Sequence, residues 1–293
     1  MRGIKELLVN KKTLSELGLL GISIPILAAP PPPTLGIFNP GRSGAFVFLV
    51  VILVFGYFFI RRVEGGKTFP IRKIAGFEAI KETVGRAVEM GKPIHYTFGY
   101  GNLYTSVAPQ FIAGLDVLSY VSKLAGQYRA RIITTFGVPE AIPMVEEIMR
   151  EGYRSGGNAQ LYKAEDVRYL TTEQFAYASG AQSIISREKV AANIMVGPFY
   201  AESLIFAEAA ATTGSIQIAG TAREGQIPFF VLVCDYVLIG EEVFAAAALA
   251  TGDTGSTATL YAEDLGKVIS LILLWLGIGL LAFGVNLTPL LFK

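Results

Sequence analysis

Residues 192–219 read ANIMVGPFYAESLIFAEAAATTGSIQIA. The short apolar run Ala192–Val196 stops at Gly197-Pro198. An alanine-rich run of helical length follows over Tyr200–Thr212, and a second short apolar run, Ser215–Ala219, comes after Gly214. Two parallel strands need a crossover of a dozen or more residues, usually a helix, and this stretch supplies one. Both strand candidates are mostly apolar, which suits strands covered on both faces.

The same rhythm extends in both directions. Upstream, Phe77–Met90 is an amphipathic helix stopped by Gly91, a residue free to take the left-handed conformation. Pro93–Phe98 (PIHYTF) and Arg131–Phe136 (RIITTF) are strands. Between them Pro109–Gly126 is helical, with Phe111, Leu115, Leu118 and Val121 on one stripe. Pro139 opens a further helix and Gly152 closes it. Val167–Leu170 is a brief strand, and Thr171 or Thr172 caps a helix running towards Arg187. Downstream, Ile227–Val233 (IPFFVLV) is the most hydrophobic run and is expected to be a central strand. Ile239–Thr251 is a second alanine-rich helix. Repeated units of this length predict an α/β fold, an open and mostly parallel sheet with helices on both faces. The two alanine-rich helices either pack on that sheet or meet another subunit.

Three segments lie outside this rhythm. Residues 43–60 carry no charge, nor do residues 268–292, and either run is long enough to cross a bilayer. Residues 17–29 are shorter and contain Pro25, which leaves a membrane span, a signal or a re-entrant segment open. Arg61 and Arg62 follow the second segment, Lys267 precedes the last, and Arg2, Lys5, Lys11 and Lys12 precede the first. Basic residues stay on the cytoplasmic side. The expected organisation is therefore an N-terminal membrane region over 1–62, a cytoplasmic α/β domain over 63–266, and a C-terminal transmembrane helix over 267–293. The α/β domain is thus tethered at both ends, at the plasma membrane.

Charge supports this division. Residues 63–266 hold 16 Lys and Arg against 22 Asp and Glu, a net −6, while the remainder carries +7, so the formal +1 of the chain is a cancellation. An acidic domain lacks the footprint that phosphate backbones need, so no nucleic-acid partner is expected. The expected partners are the lipid bilayer and further copies of the chain. One cysteine and one histidine exclude a disulfide framework and the common zinc sites, and the sequence leaves the identity of any cofactor unknown.

The blocks VGRAVEMGKPIHYTFGYGNLYTS (84–106), SREKVAANIMVGPFYAESLIFAE (186–208) and GSIQIAGTAREGQIPFFVLVCDYVLIGEE (214–242) resemble a family of uncharacterised prokaryotic membrane proteins. Their shared region is a domain of unknown function and covers about residues 76–267 here. The resemblance implies a membrane-tethered α/β domain. It implies no activity and assigns no functional residues.

Function must then be read from the residues. Open α/β sheets bind ligands beyond the carboxyl ends of their strands. Those ends offer Thr97, Gly99, Gly101, Thr135, Gly137, Gly197 and Thr221 as ligand-binding candidates, joined by Glu202 and Asp235. Glycines allow close backbone approach, threonine hydroxyls and helix N-termini hold anions, and two carboxylates would place a polar ligand. The same residues are also what any strand-to-helix turn requires. Gly99-Tyr100-Gly101 lacks the third glycine of a dinucleotide fingerprint, since Tyr104 stands there, and no phosphate-binding G-x-x-x-x-G-K-S/T occurs. His95 lies mid-strand and reads as core, and Cys234 reads as a small buried hydrophobe. No catalytic residue is assigned. The expected function is a non-catalytic, homo-oligomeric scaffold or ligand-responsive module at the cytoplasmic membrane face. The rival is a membrane-bound enzyme for a small polar metabolite or lipid precursor, which requires Glu202, Asp235, Thr97 and Thr135 to surround one pocket. An oligomeric pore or transport subunit is a third reading.

Overall fold

The computed structural model describes residues 43–64 and 73–282. Six strands form one parallel sheet: β1 (Ile94–Thr97), β2 (Ile132–Phe136), β3 (Val167–Tyr169), β4 (Ala192–Val196), β5 (Ile216–Thr221) and β6 (Tyr236–Ile239). Their order is β3-β2-β1-β4-β5-β6, the doubly wound arrangement in which the chain reverses direction between β1 and β4. The α/β class expected from the sequence is the observed one.

The helices divide between the two faces. On the first lie α2 (Ala75–Met90), α3 (Ala108–Tyr128), α4 (Ile142–Ser155) and, further along the chain, α8 (Glu242–Thr251). They bury Ile94, Tyr96, Phe98, Ile132, Phe136, Ile194 and Val196 of the strands. On the second lie α5 (Gln174–Glu188), α6 (Glu202–Thr213) and α7 (Ile227–Val233), which cover Met195 and Ala219 with Tyr177, Phe206 and Phe230. The alanine-rich faces of α6 and α8 are buried on their own sheet through Ala207, Ala209, Ala210 and Ala246–Ala248. Small side chains let these helices sit close to the strands.

Three local expectations are corrected. The run IPFFVLV is the short helix α7, not a central strand. Pro228 occupies its first turn, and of its seven residues only Phe230 is buried. The last strand is instead β6, at the sheet edge. Gly152 does not end a helix. It lies inside α4, where a Cβ would stand 2.3 Å from Cβ of Ser122, so it permits α3 and α4 to touch. Neither Thr171 nor Thr172 caps α5. Glu173 holds that position, and the Thr171 hydroxyl accepts the Glu173 N–H at 3.2 Å.

Two further helices flank the domain: α1 (Ser43–Glu64), and α9 (Thr254–Ala282), which continues from α8. Val51, Ile52 and Phe55 of α1 lie beside Ala262, Leu265 and Ile269 of α9. Helix α9 starts where α8 ends, at the pole where the strands begin, and runs back to the pole where they end. Helix α2 runs back along the sheet to Met90 before β1 begins, so its first turn is at that pole, with Gly76 against Leu238 of β6. Lys267 of α9 binds Glu241, which follows the end of β6. At the opposite pole Arg131 grips Asp166 through two bonds of 2.6 and 2.9 Å, and Arg168 reaches Glu188 at 3.2 Å. Leu49, Leu53, Val54 and Phe58 of α1 are exposed, as are Leu271–Leu276 of α9. Among the described residues no helix is long and apolar enough to cross a membrane. The apolar stretch of α1 passes through positions 43–45, 47, 48 and 59, whose side chains are outside the described set. The segment 17–29 and the end of 267–293 lie outside it as well.

Candidate functional site

The crevice between the ends of β1 and β4 is where a doubly wound sheet holds its ligand. Here it is filled by its own loops. The Tyr100 N–H donates to the Pro198 carbonyl at 3.0 Å. A Cβ on Gly99, at φ +79°, would stand 2.2 Å from that oxygen, and one on Gly197 would stand 2.3 Å from the Phe98 carbonyl. Gly101 faces the Pro198 ring at 2.5 Å from Cγ on the same measure. The candidate glycines Gly99, Gly101 and Gly197 thus let two loops interlock.

The threonine candidates point inward. Thr97 and Thr135 are buried, the Thr97 hydroxyl bonds the Tyr177 hydroxyl, and Thr135 Oγ1 bonds Nε2 of His95 at 2.8 Å. On its other side His95 Nδ1 meets Oδ1 of Asn193 at 2.7 Å. Complete burial holds the imidazole well below its ordinary range, at about 4, against the Asn193 hydrogen bond. The ring is therefore neutral at pH 7 and serves as a relay of hydrogen bonds between β4, β1 and β2. Thr221 is buried too and accepts the Arg223 N–H at 3.2 Å, closing the turn after β5.

The two carboxylates do not meet. Glu202 opens α6 near the strand ends. Its Oε1 accepts the Tyr200 N–H at 2.9 Å, and Oε2 takes the Gln174 amide. Burial raises its pKa, opposed by these bonds and by Arg223, whose guanidinium stacks 4.1 Å from the Tyr200 ring centre. Asp235 precedes β6 and so lies at the other pole of the sheet. It accepts the Gln217 N–H at 2.8 Å and borders a surface cavity with Glu82, Thr83 and Arg86. Reading α7 as a strand inverted this position. Cys234 beside it has its thiol pushed up to about 12 by burial, so the thiolate needed for nucleophilic attack is scarce at neutral pH.

What stays open at the strand ends is a cavity of about 210 Å³ beyond β1, β2 and β3. Tyr100, Asn102, Tyr104, Glu140 and Thr172 line it, with the candidates Gly101 and Gly137 in its wall. Gly137 is needed there because a Cβ would fall 2.8 Å from the Thr171 carbonyl. The Tyr100 hydroxyl donates to the Thr172 carbonyl at 2.6 Å and ties two sides of the rim together. The volume is below the roughly 300 Å³ at which ordinary ligand pockets begin, so it suits a small polar molecule, not a dinucleotide. Glu140 supplies the acceptor and the tyrosines the flat contact. Among the described residues no three His, Cys, Asp or Glu side chains are placed to hold a metal ion.

Sequence reasoning passed over Tyr177, Asn193 and Gln217. A signal was present. The second residue of β1, β4 and β5 is polar in each case (His95, Asn193 and Gln217), and the register aligns all three.

Against known proteins, one family accounts for most of the chain. The chain belongs to the family defined by a domain of unknown function, DUF6754, which matches residues 33–291. This is wider than the core of about 76–267 expected from the sequence blocks and takes in α1 and α9. No curated protein and no solved structure matches the chain.

Proposed function

We propose that the chain is a non-catalytic, homo-oligomeric scaffold or ligand-responsive module, tethered to the cytoplasmic face of the plasma membrane by helices at both ends of its α/β domain. The observation that carries this reading is the exposed apolar surface of α1 and α9, two helices that lie side by side, with Lys267 of α9 held by Glu241 at the strand-end pole. Leu53, Tyr57 and Phe58, or Leu274 and Trp275, would be costly to leave in water, at roughly 25 cal/mol per Å². A bilayer removes that cost. The uncharged run of α1, residues 43–60, extends about 27 Å at 1.5 Å each, a little short of a hydrocarbon core of about 30 Å. Arg61 and Arg62 in its last turn and Lys267 on α9 fall where anionic headgroups favour basic side chains.

In this arrangement the strand-end pole faces the membrane, and its small cavity opens towards the headgroup region. The scaffold part of the reading is supported by the way the strand ends are used. Thr97, Thr135, Thr221 and Glu202 are each bonded within the protein, and the constellation an enzyme would need is split by the placement of Asp235. The test is extraction of native membranes with alkaline carbonate. Retention in the pellet, with a cysteine introduced at Lys163 labelled only after the membrane is permeabilised, is the expected result. Release into the supernatant, or labelling from outside, would defeat it.

A further inference from the structure

Helices α3, α8 and α9 border an open cavity of about 580 Å³, and none of the residues lining it lines the strand-end cavity. Small molecules are ordinarily bound in pockets of about 300–1,000 Å³. Ala113 of α3 and Ala247 of α8 are buried and small, which leaves depth between the helices, and Ile112 and Phe244 supply apolar walls. Two carboxylates open onto this apolar surface, Asp116 from α3 and Glu263 from α9. Neither has a hydrogen bond or an ion pair among the described residues. No Lys, Arg or His stands among the lining residues, and Lys267, one turn beyond Glu263 on α9, is held by Glu241 and Asp264. Burial and the Asp253 charge push the Asp116 carboxyl up to about 6, and burial with the Asp264 charge raises Glu263. The domain thus keeps negative charge against carbon walls and supplies nothing to neutralise it, an arrangement that costs free energy until a cation arrives.

We propose that this cavity binds an organic cation, an ammonium group carrying an alkyl or aryl body. The ammonium donates to Asp116 and Glu263, and the body lies against Ile112, Ala113, Phe244 and Ala247. Phe244 adds an aromatic wall of the kind that cations favour. The hydroxyls present add acceptors, not donors. Ser256 donates to Asp253 at 2.8 Å and Thr259 to the Gly255 carbonyl at 3.0 Å, so only their lone pairs remain. A phosphate or a carboxylate would therefore meet acceptors alone. A neutral acyl chain would fill the apolar part and leave both carboxylates unpaired. A bare divalent ion needs six or more oxygen ligands, which walls of alkyl and aryl carbon do not offer. The site goes beyond the tethered reading and does not depend on it, because its walls are the same whether or not α9 continues into a bilayer. Since α3 and α9 each give one carboxylate, a bound cation also fixes α9 against the domain.

The experiment is calorimetric titration of the full chain, purified in dodecyl maltoside at neutral pH, with 4-phenylbutylamine. The alcohol 4-phenylbutanol and the anion 4-phenylbutyrate are its uncharged and negative counterparts. The amine should bind saturably, roughly tenfold more tightly than the alcohol, which is the worth of one hydrogen bond to a charged group, and the anion should not bind. Asp116→Asn should weaken the amine by roughly the same factor and Glu263→Gln by less, with the alcohol unaffected and the circular-dichroism melting curve retained. Thr259→Cys sets a thiol in the wall, and saturating amine should slow its reaction with methyl methanethiosulfonate several-fold. Absence of saturable binding would overturn the proposal, as would equal affinity for amine and alcohol, or unchanged affinity in both carboxylate variants. The alcohol comparison needs no variant, and Glu263 is exposed, so the result stands even if Asp116→Asn unfolds. Binding by a chain that alkaline carbonate releases from the membrane removes the tether and keeps this site, whereas retention without binding removes this site alone.

Discussion

The two faces of the sheet are built from the same strands and solve burial differently. Towards α2, α3, α4 and α8 the strands offer Ile94, Tyr96, Phe98, Ile132, Phe136, Ile194 and Val196, an apolar surface held by packing. Towards α5, α6 and α7 they offer His95, Thr97, Thr135, Asn193 and Gln217, all buried, held by hydrogen bonds that cross three strands. The lesson is that a strand covered on both sides can carry a polar row on one of them, provided each member finds a partner. The partnering is not complete. Asn193 Nδ2 and Gln217 Oε1 are buried without a bond, and exchanging the Asn193 amide ends would let Nδ2 donate to the imidazole instead.

The contrast is most sharply broken from the packed side. Phe111→Ala removes a ring that meets Phe98 edge-on at 4.8 Å, and should destabilise the domain by about 3–5 kcal/mol in denaturant unfolding. A loss under 1 kcal/mol would mean that this face is not close-packed.

Acid probes the polar side. Folded His95 stays neutral down to about pH 4, while the unfolded chain protonates it below about 6.5. Between those values the unfolded state binds more protons. Stability therefore falls as the pH drops through that window, by ~3 kcal/mol in all. Urea unfolding at pH 7, 5.5 and 4 measures it, and His95→Leu should flatten that part of the profile.

At pH 7 the same substitution leaves Oδ1 of Asn193 and Oγ1 of Thr135 without their shared partner. It should cost about 2 kcal/mol. If Asn193→Leu added to it restores stability, the relay is a matter of mutual satisfaction. If the two losses simply add, the residues act independently.

The smallest effect belongs to the packed side and has the opposite sign. The Asp116 carboxyl on α3 is pushed up to about 6 by burial and by the Asp253 charge. The folded state then binds more protons between that value and the ordinary 3.8, so acidification stabilises through this group. Asp116→Asn should remove that gain, a fraction of a kcal/mol after solvent screening, visible as a steeper acid loss.

Much of this was legible in the sequence because strands β1, β2, β4 and β5 are short, mostly apolar runs with Gly or Pro close to one end or both, with helices of regular period between them. The sixth was not. IPFFVLV is as apolar as any buried strand, and seven residues are too few for periodicity to separate helix from strand. Its hydrophobicity serves a surface, which inverts the usual inference from apolar to central. The candidate site followed the same error. Glu202 and the threonines were placed at the correct pole. Asp235 was not, since its position depended on the direction of the strand before it. Nor could a strand-end rule foresee that Thr97 and Thr135 face inward, because a one-residue step decides the face.

The interlocked loops after β1 and β4 carry a consequence for how this family's history will be read. Gly99, Gly101 and Gly197 cannot gain a methyl group without pushing backbone or proline aside, and Gly114 is held likewise by the Val196 carbonyl at 2.3 Å. Selection should keep all four fixed across related chains. An alignment would then display a glycine signature beside the first strand of a doubly wound sheet, the pattern by which nucleotide-binding proteins are ordinarily recognised. In this lineage the signature would record two loops in contact.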